Sequence, residues 1–130
     1  MILLDTHALV WLGAHPDKLS AAAASAIRRA ARDGGGLAIS DISLWELAWL
    51  VVQGEIELTG TLEATIEQLT ARFSVLPITA KIAAQASQFG REYPRDPGDR
   101  IIGATSLCEG LALVTRDAAL RRSPYIRTIW

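Results

Sequence analysis

Short apolar runs alternate with longer helix-like segments along this chain of 130 residues. Each apolar run has only a few residues and almost no polar side chain, which is typical of strands buried on both faces of a parallel sheet. The runs that we predict to be strands cover residues 2–5, 37–40, 74–78, 111–115 and 125–130.

Between these runs the apolar positions recur at helical spacing. Ser20 and Thr61 stand where N-caps are expected, and the glycines at 34–36 and Gly54 close two of the helices. A polar loop over 91–99 precedes the sixth helix. With caps and terminating glycines included, the predicted helices cover residues 6–14, 20–36, 41–54, 61–73, 79–90, 100–110 and 116–120.

Strands that alternate with helices predict an α/β fold in which helices flank a central parallel sheet. We find no repeat or linker, so residues 1–130 are expected to form a single domain. No apolar run is long enough to span a bilayer, and we expect no membrane association. The single cysteine, Cys108, fits a reducing cytoplasm, and the isolated His7 and His15 argue against a structural zinc site.

The net charge of −1 does not predict general attraction to nucleic acids, but the basic residues are unusual. Eleven of the 13 are arginine, the side chain best suited to bidentate phosphate contacts, although a GC-rich genome would also favour arginine. Residues 91–130 carry a net charge of +2, against −3 for residues 1–90.

Acidic residues from four separate segments are predicted to reach one edge of the sheet. Ligands of open parallel sheets bind beyond the carboxyl ends of the strands. Asp5 ends the first strand, Asp117 follows the fourth, and Glu46 lies one turn inside the helix after the second. Asp96 and Asp99 precede the helix that leads to the fourth strand.

Each acid also has a simpler interpretation. Asp5, Asp99 and Asp117 could be helix caps, Asp96 could be a turn residue, and Glu46 could lie on a solvated helix face. Capping alone, however, does not require acids at the ends of distant strands. A partly buried Glu46 would also need a partner, which a bound cation would supply.

Clustered carboxylates without cysteine ligands suit Mg²⁺ or Mn²⁺. A metal held in this way activates water and offsets the charge that develops on a phosphate, so phosphodiester hydrolysis is the natural chemistry.

Three segments of the chain resemble PIN-domain ribonucleases, and among them the VapC toxins of toxin–antitoxin pairs. The segments are "MILLDTHALVWL", "ISDISLWELAWLVVQGEIEL" and "RDPGDRIIGATSLCEGLALVTRDAALRRSPYIRTIW". The resemblance implies a PIN-like three-layer sandwich and Mg²⁺-dependent endoribonuclease activity. It also implies a VapB-type antitoxin as partner and a homodimer. The metal and catalytic acids would be Asp5, Glu46, Asp99 and Asp117.

Several assignments within this site stay open at the level of sequence. Asp96 is an alternative ligand, although we favour Asp99 because it immediately precedes the predicted helix. Thr6 and Thr115 could orient a carboxylate or a water molecule. The candidates for phosphate contacts are Arg95, Arg100 and Arg116, which could equally be solvated surface residues.

Two other functions compete with the ribonuclease. An aspartyl-phosphate hydrolase usually has a second acid two residues after the first, where this chain has His7. A non-catalytic binding module would use its acids only as caps. For Trp45 and Trp49 in the apolar helix we favour core packing over a groove for an antitoxin helix.

Overall fold

Five parallel strands form one sheet in the order β3-β2-β1-β4-β5, in a computed structural model that describes residues 1–33 and 35–130. The strands are β1 (Ile2–Leu4), β2 (Leu37–Ser40), β3 (Ser74–Leu76), β4 (Leu113–Val114) and β5 (Thr128–Ile129). The helices are α1 (Thr6–Ala14), α2 (Ala21–Arg32), α3 (Ile42–Val52), α4 (Leu62–Thr70), α5 (Ala80–Gln88), α6 (Pro97–Glu109) and α7 (Ala118–Arg122), with a 3₁₀ turn at Pro16–Lys18.

Two hydrophobic cores cover the two faces of the sheet. Side chains alternate along a strand, so Leu3 enters one core while its neighbour Leu4 enters the other. The core around Leu3 includes Ile82 of α5, Ile102 of α6 and Leu120 of α7. The core around Leu4 contains residues of α1, α2 and α3. The predicted α/β fold with flanking helices is therefore confirmed.

Most predicted elements are found, and the differences lie at their ends. Ser20 and Thr61 cap α2 and α4 as predicted, through hydrogen bonds of 3.0 Å. The last strand is limited to Thr128–Ile129, where the sequence predicted 125–130. Helix α2 ends at Arg32, and residue 34, predicted to help close it, lies outside the described residues.

The largest correction concerns α3, whose Trp45 and Trp49 were expected to pack in the core. Trp45 and Trp49 are 64% and 50% exposed, and Val52 is 63% exposed, so core packing of the two indoles is wrong for this chain alone. The two rings stack with their planes 6° apart. These three residues form an exposed apolar stripe along the outer face of α3. In the described part of the chain, the helices are too short or too polar to cross a membrane.

Candidate active site

A crevice opens at the carboxyl ends of β1 and β4, which are neighbours in the sheet. The helix after β1 packs on one face of the sheet, and Leu120 of the helix after β4 packs on the other. Such a change of side is where open α/β sheets bind their ligands. Leu4 pairs with Val114, so Asp5 and Thr115 lie level with each other at this edge.

Asp5 lies in the crevice and is also the N-cap of α1. Its Oδ1 accepts a hydrogen bond of 2.7 Å from the backbone N–H of Ala8, and the Thr115 hydroxyl is close enough to lower its pKa. Thr115 Oγ1 accepts the backbone N–H of Asp117 at 3.0 Å. Asp117 Oδ1 caps α7 by accepting the N–H of Leu120 at 2.8 Å. Each cap uses one carboxylate oxygen and orients the other, so capping does not exclude a role in a site.

Glu46 enters the crevice from the second turn of α3. Thr6 Oγ1 donates a hydrogen bond of 2.6 Å to Glu46 Oε1 and lies 2.9 Å from Ser43 Oγ. Thr6 directly follows Asp5, so this hydroxyl ties the α3 acid to the first strand. On the other side the carboxylate meets α6, because a Cβ on Gly98 would lie only 2.6 Å from Glu46 Oε2.

Helix α6 begins at Pro97, earlier than predicted, because proline is well suited to the first position of a helix. The expectation that Asp99 immediately precedes the helix is therefore wrong. Asp96 is the N-cap, and its Oδ2 accepts the backbone N–H of Asp99 at 3.1 Å. Asp99 lies inside the first turn, where the helix dipole favours a negative charge.

Burial raises the pKa of three carboxyls of the crevice, those of Asp5, Glu46 and Asp99, and the charges of neighbouring acids add to this rise. Burial, followed by the charges of four neighbouring acids with Asp96 first, raises the pKa of Asp99 to about 7. Burial also raises the pKa of Asp5, against the hydrogen bonds from Thr115 and Ala8. The pKa of Glu46 rises for the same reason, against its hydrogen bond from Thr6. The positive charge near the ionised cluster is therefore too small to offset the repulsion among its carboxylates.

This donor set fits a hard divalent cation, since carboxylate oxygens dominate it and a cation would supply the missing charge. The acids line two adjoining cavities that share Asp5 and Asp99. Asp117 belongs to one cavity, and Glu46 and Asp96 belong to the other. Across residues 1–33 and 35–130, no three His, Cys, Asp or Glu side chains are close enough to hold an ion as they stand. Binding an ion here requires side-chain rotations.

The three candidate arginines have different surroundings. Arg116 lines the cavity that contains Asp5, Asp99 and Asp117, whereas Arg95 is simply exposed. Arg100 points away from the acids: its Nη1 donates to the carbonyl oxygens of Ala86 and Phe89 at 2.9 and 3.1 Å, at the end of α5. Its position therefore assigns Arg100 to helix capping and not to phosphate contact.

Sequence reasoning missed three residues of this crevice. His7 lines both cavities, and Trp11 lines the one with Asp117. Their spacing of four residues, starting two residues after Asp5, was a helical signal for one shared face. The third residue, Gly98, had no such signal, because its contact with Glu46 joins segments distant in sequence.

Comparison with known proteins identifies a family whose members are similar to this chain. The model of the PIN domain matches residues 2–124. The chain is 40% identical to Ribonuclease VapC22 of Mycobacterium tuberculosis, in an alignment that covers 99% of this chain and 98% of that protein.

Solved structures with the same fold include toxin–antitoxin complexes. VapBC2 from Rickettsia felis, bound to a DNA fragment from its promoter, matches with a TM-score of 0.69 at 20% identity, over 98% of this chain and 97% of that one. DNA-bound VapBC from Salmonella typhimurium matches with a TM-score of 0.67 at 23% identity, over 98% and 97% of the two chains. At these identities the likeness shows the fold alone.

Proposed function

This chain belongs to the PIN-domain family, and from that premise we propose that it is a metal-dependent endoribonuclease, the toxin of a toxin–antitoxin pair. The observation that carries the proposal is the meeting of Asp5, Glu46, Asp99 and Asp117 in one crevice at the ends of β1 and β4. Four acids from four elements, with raised pKa values among them, are costly for a fold that has no use for a cation.

We propose Mg²⁺ as the resident metal, with Mn²⁺ as a substitute, because PIN-domain ribonucleases are metal-dependent in general. Asp5 and Asp99 are the central ligands, since both line the two cavities. Glu46 and Asp117 complete the set, and Asp96, an exposed residue that caps α6, is the alternate. When bound, the metal activates water and offsets charge on the phosphate.

The residues around the acids orient them for this task. The Thr6 hydroxyl occupies Glu46 Oε1 and so leaves Oε2 as the free oxygen. Thr115 accepts the backbone N–H of Asp117, and its hydroxyl lowers the pKa of Asp5, so this side chain acts on both carboxylates at the strand ends. Arg116, with Arg95 further out, supplies positive charge for the RNA backbone. If the four acids are neutralised by metal, the remaining chain carries 13 basic and 10 acidic residues.

The partner that we propose is a VapB-type antitoxin, because the solved structures with this fold include toxin–antitoxin complexes. The exposed apolar stripe of Trp45, Trp49 and Val52 supports a protein partner, since stacked exposed indoles are typical of interface anchors. We further propose that residues 1–130 act as one PIN-like nuclease domain, as a homodimer. The cytoplasm is the expected compartment, because Cys108 is a free thiol.

Cleavage of single-stranded RNA by the purified chain tests the nuclease. We expect cleavage with Mg²⁺ or Mn²⁺ and none in EDTA. Asp5→Asn and Asp99→Asn should each reduce the rate at least about a hundredfold. Asn at position 5 still caps α1, so the fold should persist. Asp17→Asn, in the exposed 3₁₀ turn, is the matched control and should cleave like wild type. Full activity of both site variants would overturn the assignment.

Metal titration separates this proposal from a binding module whose acids are only caps. A metal that binds only the folded protein raises the melting temperature with concentration. We expect such a rise with Mg²⁺ for wild type and Asp17→Asn but not for Asp99→Asn. A melting temperature independent of Mg²⁺ and Mn²⁺ would favour the capping module.

Co-purification tests the partner. We expect the product of a neighbouring small gene to co-purify with the tagged wild-type chain and to be lost from Trp45→Glu/Trp49→Glu. Tyr125→Glu is the control, because Tyr125 is 61% exposed but lies outside the stripe. Retention of the partner by the double variant would show that the stripe of α3 is not its docking surface.

A further inference from the structure

Three side chains beside the acids form a wall, and the function proposed above uses only Arg116 of the three. His7 and Trp11 lie one turn apart on α1, with ring centroids 5.8 Å from each other. The guanidinium of Arg116, from the segment after β4, lies 5.9 Å from the Trp11 centroid. All three line the same cavity as Asp5 and Asp99. An aromatic and cationic wall therefore adjoins the acidic crevice.

Arg116 keeps its donors free although three aspartates share its cavity. Within the described ranges it forms no salt bridge and no side-chain hydrogen bond, and its guanidinium is placed by the indole of Trp11 instead. A guanidinium presents N–H donors in a planar fork that matches a phosphate. The exposed position of Arg116 lets a phosphate approach these donors from solvent.

The two aromatic rings differ in what they can still contact. Trp11 is half-buried and is surrounded by its own chain: His7, Trp130 at 5.7 Å, Lys18 at 5.9 Å and Arg116. His7 is exposed, and the aromatic ring that it contacts is that of Trp11. The imidazole of His7 is therefore the ring that can accept a nucleobase, whereas Trp11 holds its neighbours in place.

We propose that His7, Trp11 and Arg116 form the subsite for a nucleotide next to the cleaved phosphodiester. The base stacks on His7, Arg116 binds the adjoining phosphate, and Trp11 is the positioning residue for both. Bases of single-stranded RNA stack readily on aromatic side chains, and this contact tolerates any base. The subsite rests on the proposed ribonuclease function and makes a single strand its substrate class.

RNA binding without cleavage tests the subsite. The probe is a fluorescently labelled single-stranded RNA of about 12 nucleotides, which wild type cuts at one mapped position. Its affinity is measured by anisotropy in the Asp99→Asn background, where the strand stays intact. We expect added His7→Ala to weaken binding at least about fivefold, and His7→Phe to restore it. His15→Ala, also an exposed histidine near the end of α1, should bind unchanged.

Two further measurements distinguish a subsite from a structural effect. Arg116→Ala should reduce the magnitude of the slope of log affinity against log salt by about one, the value expected for the loss of one phosphate contact. Arg121→Ala, which changes an exposed arginine of α7, should leave this slope unchanged. An abasic nucleotide beside the mapped position should weaken binding as much as His7→Ala does, and the two changes together should add nothing more.

The outcomes separate the subsite from the nuclease itself. If wild type cleaves RNA but His7→Ala and Arg116→Ala bind like their background, the subsite is wrong and the nuclease stands. Additive losses from His7→Ala and the abasic nucleotide would likewise overturn the stacking. If wild type cleaves no RNA with Mg²⁺ or Mn²⁺, the proposed function itself fails.

Discussion

Gly98 sets the position of the Glu46 carboxylate, because its hydrogen atom leaves the space that Glu46 Oε2 occupies. A Cβ there would lie 2.6 Å from this oxygen and 3.1 Å from Asp96 Oδ2. The atoms that would have to move are the ends of side chains and not backbone. The strain of a larger residue therefore falls on the site more than on the fold.

We predict that Gly98→Ala lowers RNA cleavage at least tenfold, roughly the effect of one misplaced catalytic group, while stability is kept. Alanine is favoured over glycine inside a helix by about 1 kcal/mol, which offsets the local crowding. The melting temperature and the cleavage rate are measured together. Gly13→Ala in α1, where no atom lies within 4 Å of an added Cβ, is the control and should stay active. Unchanged cleavage by Gly98→Ala would show that Glu46 does not need this position.

The α5–α6 pair depends on Arg100, which bridges the two helices. Its guanidinium satisfies the carbonyl oxygens of Ala86, Phe89 and Gly90, and lies 6.0 Å from the Tyr93 ring centroid. Carbonyl groups at the end of a helix lack intrahelical partners, so a side chain that reaches them stabilises the helix. Arg100 thereby anchors the start of α6, which carries Asp99.

We predict that Arg100→Ala lowers the free energy of unfolding by about 1–2 kcal/mol, the cost of leaving such carbonyl groups without a charged donor. The salt dependence of RNA binding should stay the same, because this guanidinium does not face the crevice. Urea denaturation measures the first quantity and anisotropy the second. Arg95→Ala is the matched control for stability, since Arg95 is exposed. If Arg100→Ala reduced the salt dependence of RNA binding, Arg100 would have to be counted among the residues that contact phosphate.

Some helix ends could be predicted from the sequence and others could not. The caps at Ser20 and Thr61 were predictable because a cap is a local pattern of a few residues. The start of α6 was misplaced although proline favours the first position of a helix, because both Asp96 and Asp99 suit a helix N-terminus and the Pro-Gly pair also suits a turn. The exposure of Trp45 was hidden because apolarity alone does not tell which face of α3 has a partner within the chain.

The fold was predictable because β1, β2 and β4 are short runs of buried, mostly apolar residues, and Asp5 and Asp117 follow the ends of two of them. For the site, the sequence indicates which carboxylates lie at the same edge of the sheet. The inner contacts of the site were not predictable, since Glu46 meets Gly98 and Arg116 meets Trp11 only after the chain has folded. Such contacts between distant segments leave no pattern along the sequence.

The carboxylate cluster also couples the stability of the whole molecule to pH. The pKa of Asp99 rises from 3.8 to about 7 on folding, and those of Asp5 and Glu46 also rise. At a pH between 3.8 and about 7, the two pKa values of Asp99, the folded chain holds more protons than the unfolded chain does. The contribution of Asp99 to stability therefore falls as pH rises from about 4 to about 7.

We predict that in EDTA the melting temperature is lower at pH 8 than at pH 5.5. Asp99 is partly exposed, so solvent screening reduces its share to about 1 kcal/mol, or a few degrees. Asp99→Asn should flatten this slope, and Asp17→Asn should keep it. Mg²⁺ should raise the melting temperature more at pH 8 than at pH 5.5, because protons compete with the metal for the same oxygens. If the metal-free protein were more stable at pH 8 than at pH 5.5, folding would not raise the pKa of these carboxyls, and their proposed clustering would be wrong.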